Sequence, residues 1–576
     1  MITKNRNNLY KDPSPYLQQH KDNPINWQVW NLETLNEAKI KNMPIILSIG
    51  YASCHWCHVM AHESFEDIEI AQIMNNNFVN IKVDREERPD IDFVFQSSFQ
   101  LFNQAGGGWP LTMFLDENAV PFSGGTYFPK TAKHGLPSFK DVLTQVVETY
   151  KLRREKIIKQ SNLIIKSLTL RKNPVINQEL VPILNETITR LDQVKGGYIG
   201  SPKFPTFNVF ETLIYFYNKT KDLTYFRPVD LILNQLCSQG IYDHVEGGIS
   251  RYTVDENWLI PHFEKMLYDN VQFISLLSSY IKIKKSVYFE KKLKETINFI
   301  NKEFKNKKFD LLGSAFDADS EGEEGKYYTF EYNELHKIKG IEEFYDVKPQ
   351  GNWEGKIILK ELKFPDKKIQ GELLDIRKKK KKPFFDEKIQ LDLNCMWISS
   401  LVNASIALKE KYYLETAEKY FKNLKNKYEE NDLHHSYSKH NVFLEDYAYY
   451  IKMLIDLYDA TMDINYKEKA NKIYSDTLKK FYNNEKNIFQ KNPLTNTDLF
   501  FNPIDIGDGT IPNGNAIMLL NMTRLGKLKD AKNFSQSLYG YLNIYKNHMM
   551  TGIRSLDFYK EIDSGKDCGP DGCKSI

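Results

Sequence analysis

Cysteine is scarce in this chain, with six in 576 residues, too few for a disulfide framework. Long apolar runs are lacking too. The opening residues, MITKNRNNLYKDPSPYLQQH, hold no stretch that would serve as a signal-peptide core, and nothing elsewhere approaches the roughly 20 apolar residues of a membrane span. The expectation is a reducing, cytoplasmic setting and no membrane partner. Charge of one sign is missing as well: 78 Lys and Arg stand against 75 Asp and Glu, a net +3, so no nucleic-acid partner is implied. What is present is the 41% hydrophobic and 27% charged balance of a globular protein, at a length beyond what one core supports, so at least two domains are expected. Aromatics at 13% suit large cores and sugar-stacking walls equally.

Up to about residue 130, short apolar runs alternate with helical spacing, the pattern of an α/β domain. Pro44–Gly50, Phe78–Val83 and Pro110–Leu115 read as strands. Helical spacing covers about 57–75 and 91–102, and a hairpin-like segment around Gly124 and Gly125 precedes a long helix over about 138–170. Beyond about residue 175 the chain is nearly all amphipathic helix, with candidates near 177–193, 207–219, 226–238, 264–284, 287–305, 395–410, 413–428, 443–462, 465–482, 513–525 and 528–546. Paired as hairpins, these predict an α-solenoid or a closed (α/α) toroid, and the absence of a fixed repeat favours the toroid. The helical rhythm lapses over about 307–392, where the run Arg377–Lys382 reads as a solvated loop.

Four of the cysteines form two close pairs, Cys54/Cys57 and Cys568/Cys573, while Cys237 and Cys395 read as core residues. The string Cys54-His55-Trp56-Cys57-His58 follows a predicted strand and opens a predicted helix. A helix N-terminus offers partial positive charge and unpaired N–H groups, which stabilise a thiolate. Cys54 would be the attacking sulfur and Cys57 the resolving thiol, with His55 and Trp56 tuning thiolate pKa and access. Two other chemistries fit the same letters. C-x-x-C-H is the attachment pattern of c-type haem, which belongs to exported proteins. Cys54, Cys57, His58 and His62 would also supply four zinc ligands, although structural zinc usually draws on separate segments. The redox reading needs no cofactor and no metal, and its partner is a protein or small-molecule thiol or disulfide. Trp109–Pro110 heads the third strand, where a proline gives up its N–H at least cost; in thioredoxin-like folds a proline so placed is cis and lies against the cysteine pair, so a cis bond is expected, with Trp109 and Pro110 shaping the redox groove.

Ser14–His20, Ser48–Met60, Glu63–Asp67, Lys82–Asp90, Gly107–Pro110 and Gly124–Pro129 resemble the spermatogenesis-associated protein 20 family, and Gly247–Asp269, Ser314–Gly325 and Gly351–Gly355 continue the likeness in order. The resemblance implies a thioredoxin-like domain, about 1–170, joined to an all-α (α/α)6 toroid, about 171–576, similar to six-hairpin glycosidases and sugar 2-epimerases. One departure stands out: Leu391–Asn394 replaces a T-S-W-N string and loses its aromatic.

A toroid of this kind holds its site in a funnel of loops and inner-helix ends. Arg251, Tyr252, Asp255, Trp258, His262, Glu264 and Asp269 fall in one stretch, and Asp317 and Asp319 add a second acidic cluster. Aromatic faces, carboxylates and an imidazole are what sugar hydrolysis or epimerisation requires. Loop capping and core packing explain the same residues without chemistry. Three readings follow: thiol-disulfide exchange at Cys54/Cys57, a carbohydrate-active or carbohydrate-binding toroid with a regulatory first domain, or an interaction protein in which both sites are vestigial. Arg85, Glu86, Glu87, Arg88 and Asp90 are expected as an ion-paired wall of the redox site or, equally, as substrate contacts, and Ser14–His20 as a brace between domains.

Overall fold

The computed structural model describes residues 7–104, 106–133, 135–168, 179–428, 433–437, 441–565, 567–569 and 572–574. The chain forms two compact units.

The first unit is built on β1 (Trp27–Gln28), β2 (Ile45–Gly50), β3 (Val79–Asp84), β4 (Leu111–Leu115) and β5 (Pro121–Gly125), in the spatial order β1-β3-β2-β4-β5. β1, β3 and β2 run parallel, and β4 and β5 add antiparallel strands beside β2. Every residue of β2, β3 and β4 is buried; β2 and β4 read as nearly continuous apolar runs for that reason, whereas β3 alternates apolar residues with Asn80, Lys82 and Asp84, all of them buried. The three expected strands lie within a residue of their predicted ends. β1 and the helix Leu32–Lys41 were not anticipated, the first being two residues long. The long helix expected over 138–170 is two helices, Phe139–Leu152 and Arg154–Leu168, parted at Arg153.

Two segments from far along the chain, His434–Phe443 and Gln490–Ile504, belong to this first unit, an addition that a linear boundary near residue 170 leaves out. His435 Nε2 lies 2.8 Å from the Glu86 carbonyl, Asn492 Nδ2 donates to Asp90 at 2.9 Å, and Phe500 meets Phe95 edge-on at 6.3 Å.

In the second unit six inner helices, Phe207–Thr220, Leu267–Ile283, Leu391–Leu408, Leu444–Thr461, Gly514–Arg524 and Met550–Asp563, pack each against the next, and the last returns to the first. The ring is closed, so the toroid is an (α/α)6 barrel. Outer helices Leu223–Ser238, Val287–Glu303, Lys411–Tyr428, Ile464–Phe481 and Leu528–Tyr545 each back the inner helix before them. Inner helices are buried on most sides, their polar residues such as Asp446, Asn515 and Thr551 included. Leu391–Leu408 is apolar and long enough to pass for a membrane span, and its burial accounts for that composition. The sixth inner helix was absent from the sequence reading, which stopped near 546.

Over 307–392 short antiparallel pairs surround a small apolar core that includes Phe330, Leu335, Tyr345 and Leu373. Arg377 corrects the solvated-loop expectation. It is buried, and its guanidinium meets Asp243 at 3.0 Å and Glu246 at 3.4 Å. Lys378, Lys379, Lys381 and Lys382 of the same run are exposed. The side chains of Cys568 and Cys573 lie outside the described residues.

Candidate functional site

β2 ends at Gly50, a turn brings the Cys54 N–H to the Tyr51 carbonyl at 3.2 Å, and the helix His55–Met60 begins. Cys54 is its N-cap, in extended conformation, and its sulfur accepts the Cys57 N–H at 3.3 Å. The side chain therefore satisfies one of the N–H groups that a helix start leaves open. Cys54 and Cys57 are joined by a disulfide across a Cα–Cα distance of 5.2 Å, an ordinary span for such a bond. Trp109–Pro110 is cis, as expected.

Exposure departs from the expectation of an open sulfur. Cys54 is 3% exposed and Cys57 2%. The rim carries what surface there is: Trp56 is 47% exposed, edge-on to Tyr127 at 5.2 Å and to His55 at 5.8 Å. On another side the Trp109 indole donates to Asp92 at 2.9 Å, Arg85 lies 3.9 Å over the Trp109 ring and pairs with Asp92 at 3.1 Å, and Tyr51 meets Trp109 edge-on at 5.8 Å. The zinc set is not assembled here: both sulfurs are in the disulfide, and the His62 imidazole pairs with Glu66 at 2.9 Å.

The charged residues after β3 pair with one another in part. Arg88 holds Asp90 through two contacts of 2.9 and 2.8 Å and Asp498 at 2.8 Å. Burial opposes ionisation of Asp90, but the Arg88 guanidinium beside it keeps the carboxyl below its ordinary range.

Behind the disulfide lies a group that the sequence reading missed. Ser14–His20, expected as an inter-domain brace, packs inside the first unit. Ser14 caps the short helix Pro15–Gln18 and binds Asp84 at 2.6 Å. Tyr16 and His20 are thereby buried, edge-on to each other at 5.1 Å. Lys82, on β3, is 1% exposed, with its amine 3.1 Å from Ser48 Oγ and under the rings of Phe65 (4.5 Å), Trp27 (4.9 Å) and Tyr16 (5.0 Å). Burial pushes the Lys82 amine and the His20 imidazole well below their ordinary values. Alternation hid it: Val79–Asp84 runs apolar-polar, as a strand with one wet face does, whereas that face is covered by the rings of Tyr16, Trp27 and Phe65.

In the second unit the candidate residues divide. Arg251 pairs with Glu264 at 3.1 Å, and His262 lies between Glu324 at 2.6 Å and Glu264 at 3.6 Å, stacked on Tyr252 at 5.1 Å. Burial resists charging of His262, and the two carboxylates outweigh it and raise the imidazole. Asp255 instead accepts the N–H groups of Asn257, Leu259 and Ile260, a loop cap. Trp258 is fully buried, with its indole on the Lys195 carbonyl at 2.8 Å, so it is core rather than a sugar platform. Asp317 accepts the Asp319 N–H at 3.1 Å, and Asp269 is buried in the first turn of the second inner helix. A cavity of about 150 Å³ runs inside the ring and draws on all six inner helices; none of the candidate residues lines it. Its walls carry Glu211, Tyr215, Lys452, Asp456, Arg524 and Arg554, with Arg524 and Lys452 clamping Asp456 at 2.7 and 2.6 Å.

Residues 6–169 match a family model described as Thioredox_DsbH, protein of unknown function DUF255. The chain is 30% identical over 607 residues to the uncharacterized protein B0495.5 of Caenorhabditis elegans, covering 93% of this chain and 82% of that one. It is 28% identical over 620 residues to human spermatogenesis-associated protein 20, covering 94% and 79%. Among solved structures it is similar to the cellobiose 2-epimerase of Bacillus thermoamylovorans, at 12% identity and a TM-score of 0.42 over 64% of this chain and 84% of that one. It is similar to a D-mannose isomerase at 13% identity and a TM-score of 0.42, over 66% and 96%. On its length-wide relatives and its thioredoxin-like first unit followed by an (α/α)6 toroid, the chain belongs to the spermatogenesis-associated protein 20 family.

Proposed function

We propose that this protein exchanges thiols and disulfides at Cys54 and Cys57. The observation that carries this reading is the placement of Cys54 Sγ at a helix N-terminus, where it accepts the Cys57 N–H at 3.3 Å. That donor and the helix dipole favour the thiolate over the thiol. In one direction a substrate thiolate attacks Cys54 Sγ, a mixed disulfide forms, and the electron pair of the old bond leaves on Cys57. A second substrate thiolate then attacks the substrate's own sulfur and releases Cys54 as thiolate. The substrate dithiol is oxidised by two electrons and the pair reduced by two. The low exposure of both cysteines suits a small thiol or an extended segment passing Trp56, not a broad folded surface. Reduction of insulin by dithiothreitol tests it: wild type accelerates the reaction, and Cys54→Ser and Cys57→Ser abolish the acceleration. No acceleration by wild type, or equal rates in the variants, overturns the reading.

A second reading, a carbohydrate-binding toroid, is supported by the His262 cluster, where an imidazole held between two carboxylates sits beside the Tyr252 ring. Thermal melting against a panel of mono- and disaccharides is the test, because any ligand of the folded state raises the melting temperature. A flat panel overturns it.

A further inference from the structure

We propose that the Tyr16 hydroxyl is the donor that meets the Cys57 sulfur once the disulfide opens, a positioning residue that makes the pair easier to reduce. The proposal rests on the redox reading above. Three observations converge at Gly50, the last residue of β2. A Cβ placed there would lie 2.2 Å from Tyr16 Oη and 2.7 Å from Cys57 Sγ, so hydroxyl and sulfur both border the space over Gly50. A side chain at this position would displace both. Tyr16 is fully buried, and its hydroxyl has no hydrogen-bond partner among the described residues. Its ring is held in place from several directions, by the Ser14 cap that binds Asp84 at 2.6 Å, by His20 at 5.1 Å and by the Lys82 amine at 5.0 Å.

A buried hydroxyl without a partner is a standing cost to the folded state. The sulfur of a disulfide is a poor acceptor, whereas a thiolate is a strong one. The oxidised protein therefore carries a donor with nothing to donate to, and the reduced protein supplies the acceptor beside it. When an incoming thiolate bonds to Cys54 Sγ, the electron pair released onto Cys57 Sγ accepts the Tyr16 O–H. The proton stays on the phenol oxygen, which burial and the nearby Asp84 carboxylate hold well above its ordinary pKa. The anion is thus stabilised without being protonated, and it remains the nucleophile for the reverse step. The two sulfurs have separate donors, the Cys57 N–H for Cys54 and the Tyr16 O–H for Cys57.

Equilibration of the full chain with glutathione buffers of graded ratio, followed by acid quench, alkylation and mass spectrometry of the peptide bearing Cys54 and Cys57, tests this. Tyr16→Phe keeps the ring and removes the unsatisfied hydroxyl. The expected result is a pair about tenfold harder to reduce, a shift of about 30 mV, with the Cys57 thiol titrating at higher pH than in wild type. Identical reduction midpoints, or a shift the other way, overturn the Tyr16 proposal and leave the redox reading standing. A wild-type pair that stays oxidised across the whole series while the protein remains folded overturns both. A readout that needs no variant is the ring carbon bearing the hydroxyl in tyrosine-labelled wild type. Its resonance for Tyr16 shifts on reduction, and an unmoved resonance rejects the contact.

Discussion

The amine of Lys82 and the hydroxyl of Ser48 face each other across paired strands, at 3.1 Å, within a cage of three aromatic rings. The register that pairs Ser48 with Lys82 also ends with Gly50 opposite Asp84, so the same two strands carry the amine, the glycine beneath the disulfide and the carboxylate that anchors Ser14.

This amine makes stability depend on pH. Its folded pKa lies well below 10.5 because of burial, so between the folded value and the free-amine value the unfolded chain binds the extra proton. Stability is then unaffected above the free-amine value and falls as pH drops toward the folded one. Urea unfolding of wild type and Lys82→Met at pH 7 and pH 9.5 should show wild type gaining stability relative to the variant at the higher pH; an equal change in the two proteins would show that the Lys82 amine contributes nothing to the pH dependence.

Asp90 and Asp498 share Arg88 but differ in burial, with side chains 0% and 20% exposed. Asp90→Asn leaves a buried guanidinium short of its bidentate partner and should cost about 3–5 kcal/mol. Asp498→Asn removes a partly wet contact and should cost about 1 kcal/mol or less. Comparable losses in denaturant melts would contradict this ordering.

Gly197 has φ +71°, and a Cβ there would lie 2.5 Å from Cζ2 of the buried Trp258. Gly200 has φ +98° with open space around it. Gly197→Ala should therefore cost about 1–3 kcal/mol more than Gly200→Ala, since both carry the backbone penalty and one adds a clash in packed core. Equal melting temperatures for the two variants would show that Trp258 yields.

Ring closure predicts the effect of truncation. Asp557 on the sixth inner helix binds Tyr215 at 3.0 Å and Lys219 at 2.8 Å on the first. A chain ending at His548 loses these and exposes the apolar faces of its neighbours, so it should bind a hydrophobic dye and lose its sharp thermal transition. A cooperative melt near that of the full chain would show that five inner helices suffice.

Much of this was readable from the residues alone. The helices Phe207–Thr220 and Val287–Glu303 match their predicted ends within two residues, because apolar periodicity and caps such as Ser286, whose side chain accepts the Phe289 N–H, are local. Strands β2 to β4 announced themselves as β-branched and apolar runs. The closing helix Met550–Asp563 did not: it has a weak apolar stripe, with Gly552 and several polar residues buried by the ring rather than by its own pattern. At the site, the cysteine pair followed from spacing and the cis proline from the likeness to thioredoxin-like folds, whereas the burial of the sulfurs depends on what covers them. Trp258 looked like a sugar platform because an aromatic carries the same letter in a core and in a pocket. Tyr16 lies in the Ser14–His20 motif, yet its meeting with Cys57 over Gly50 joins residues 41 positions apart, which no periodicity encodes.

The segments His434–Phe443 and Gln490–Ile504 complete the first unit from hundreds of residues downstream. A ribosome that has made only the first 170 residues has therefore made an unfinished sheet domain, with Phe95 lacking the ring of Phe500 and Arg88 lacking Asp498. Its final packing waits until residue 504 has emerged. The order of synthesis thus runs opposite to the usual one for tandem domains: the amino-terminal unit is begun first and finished late.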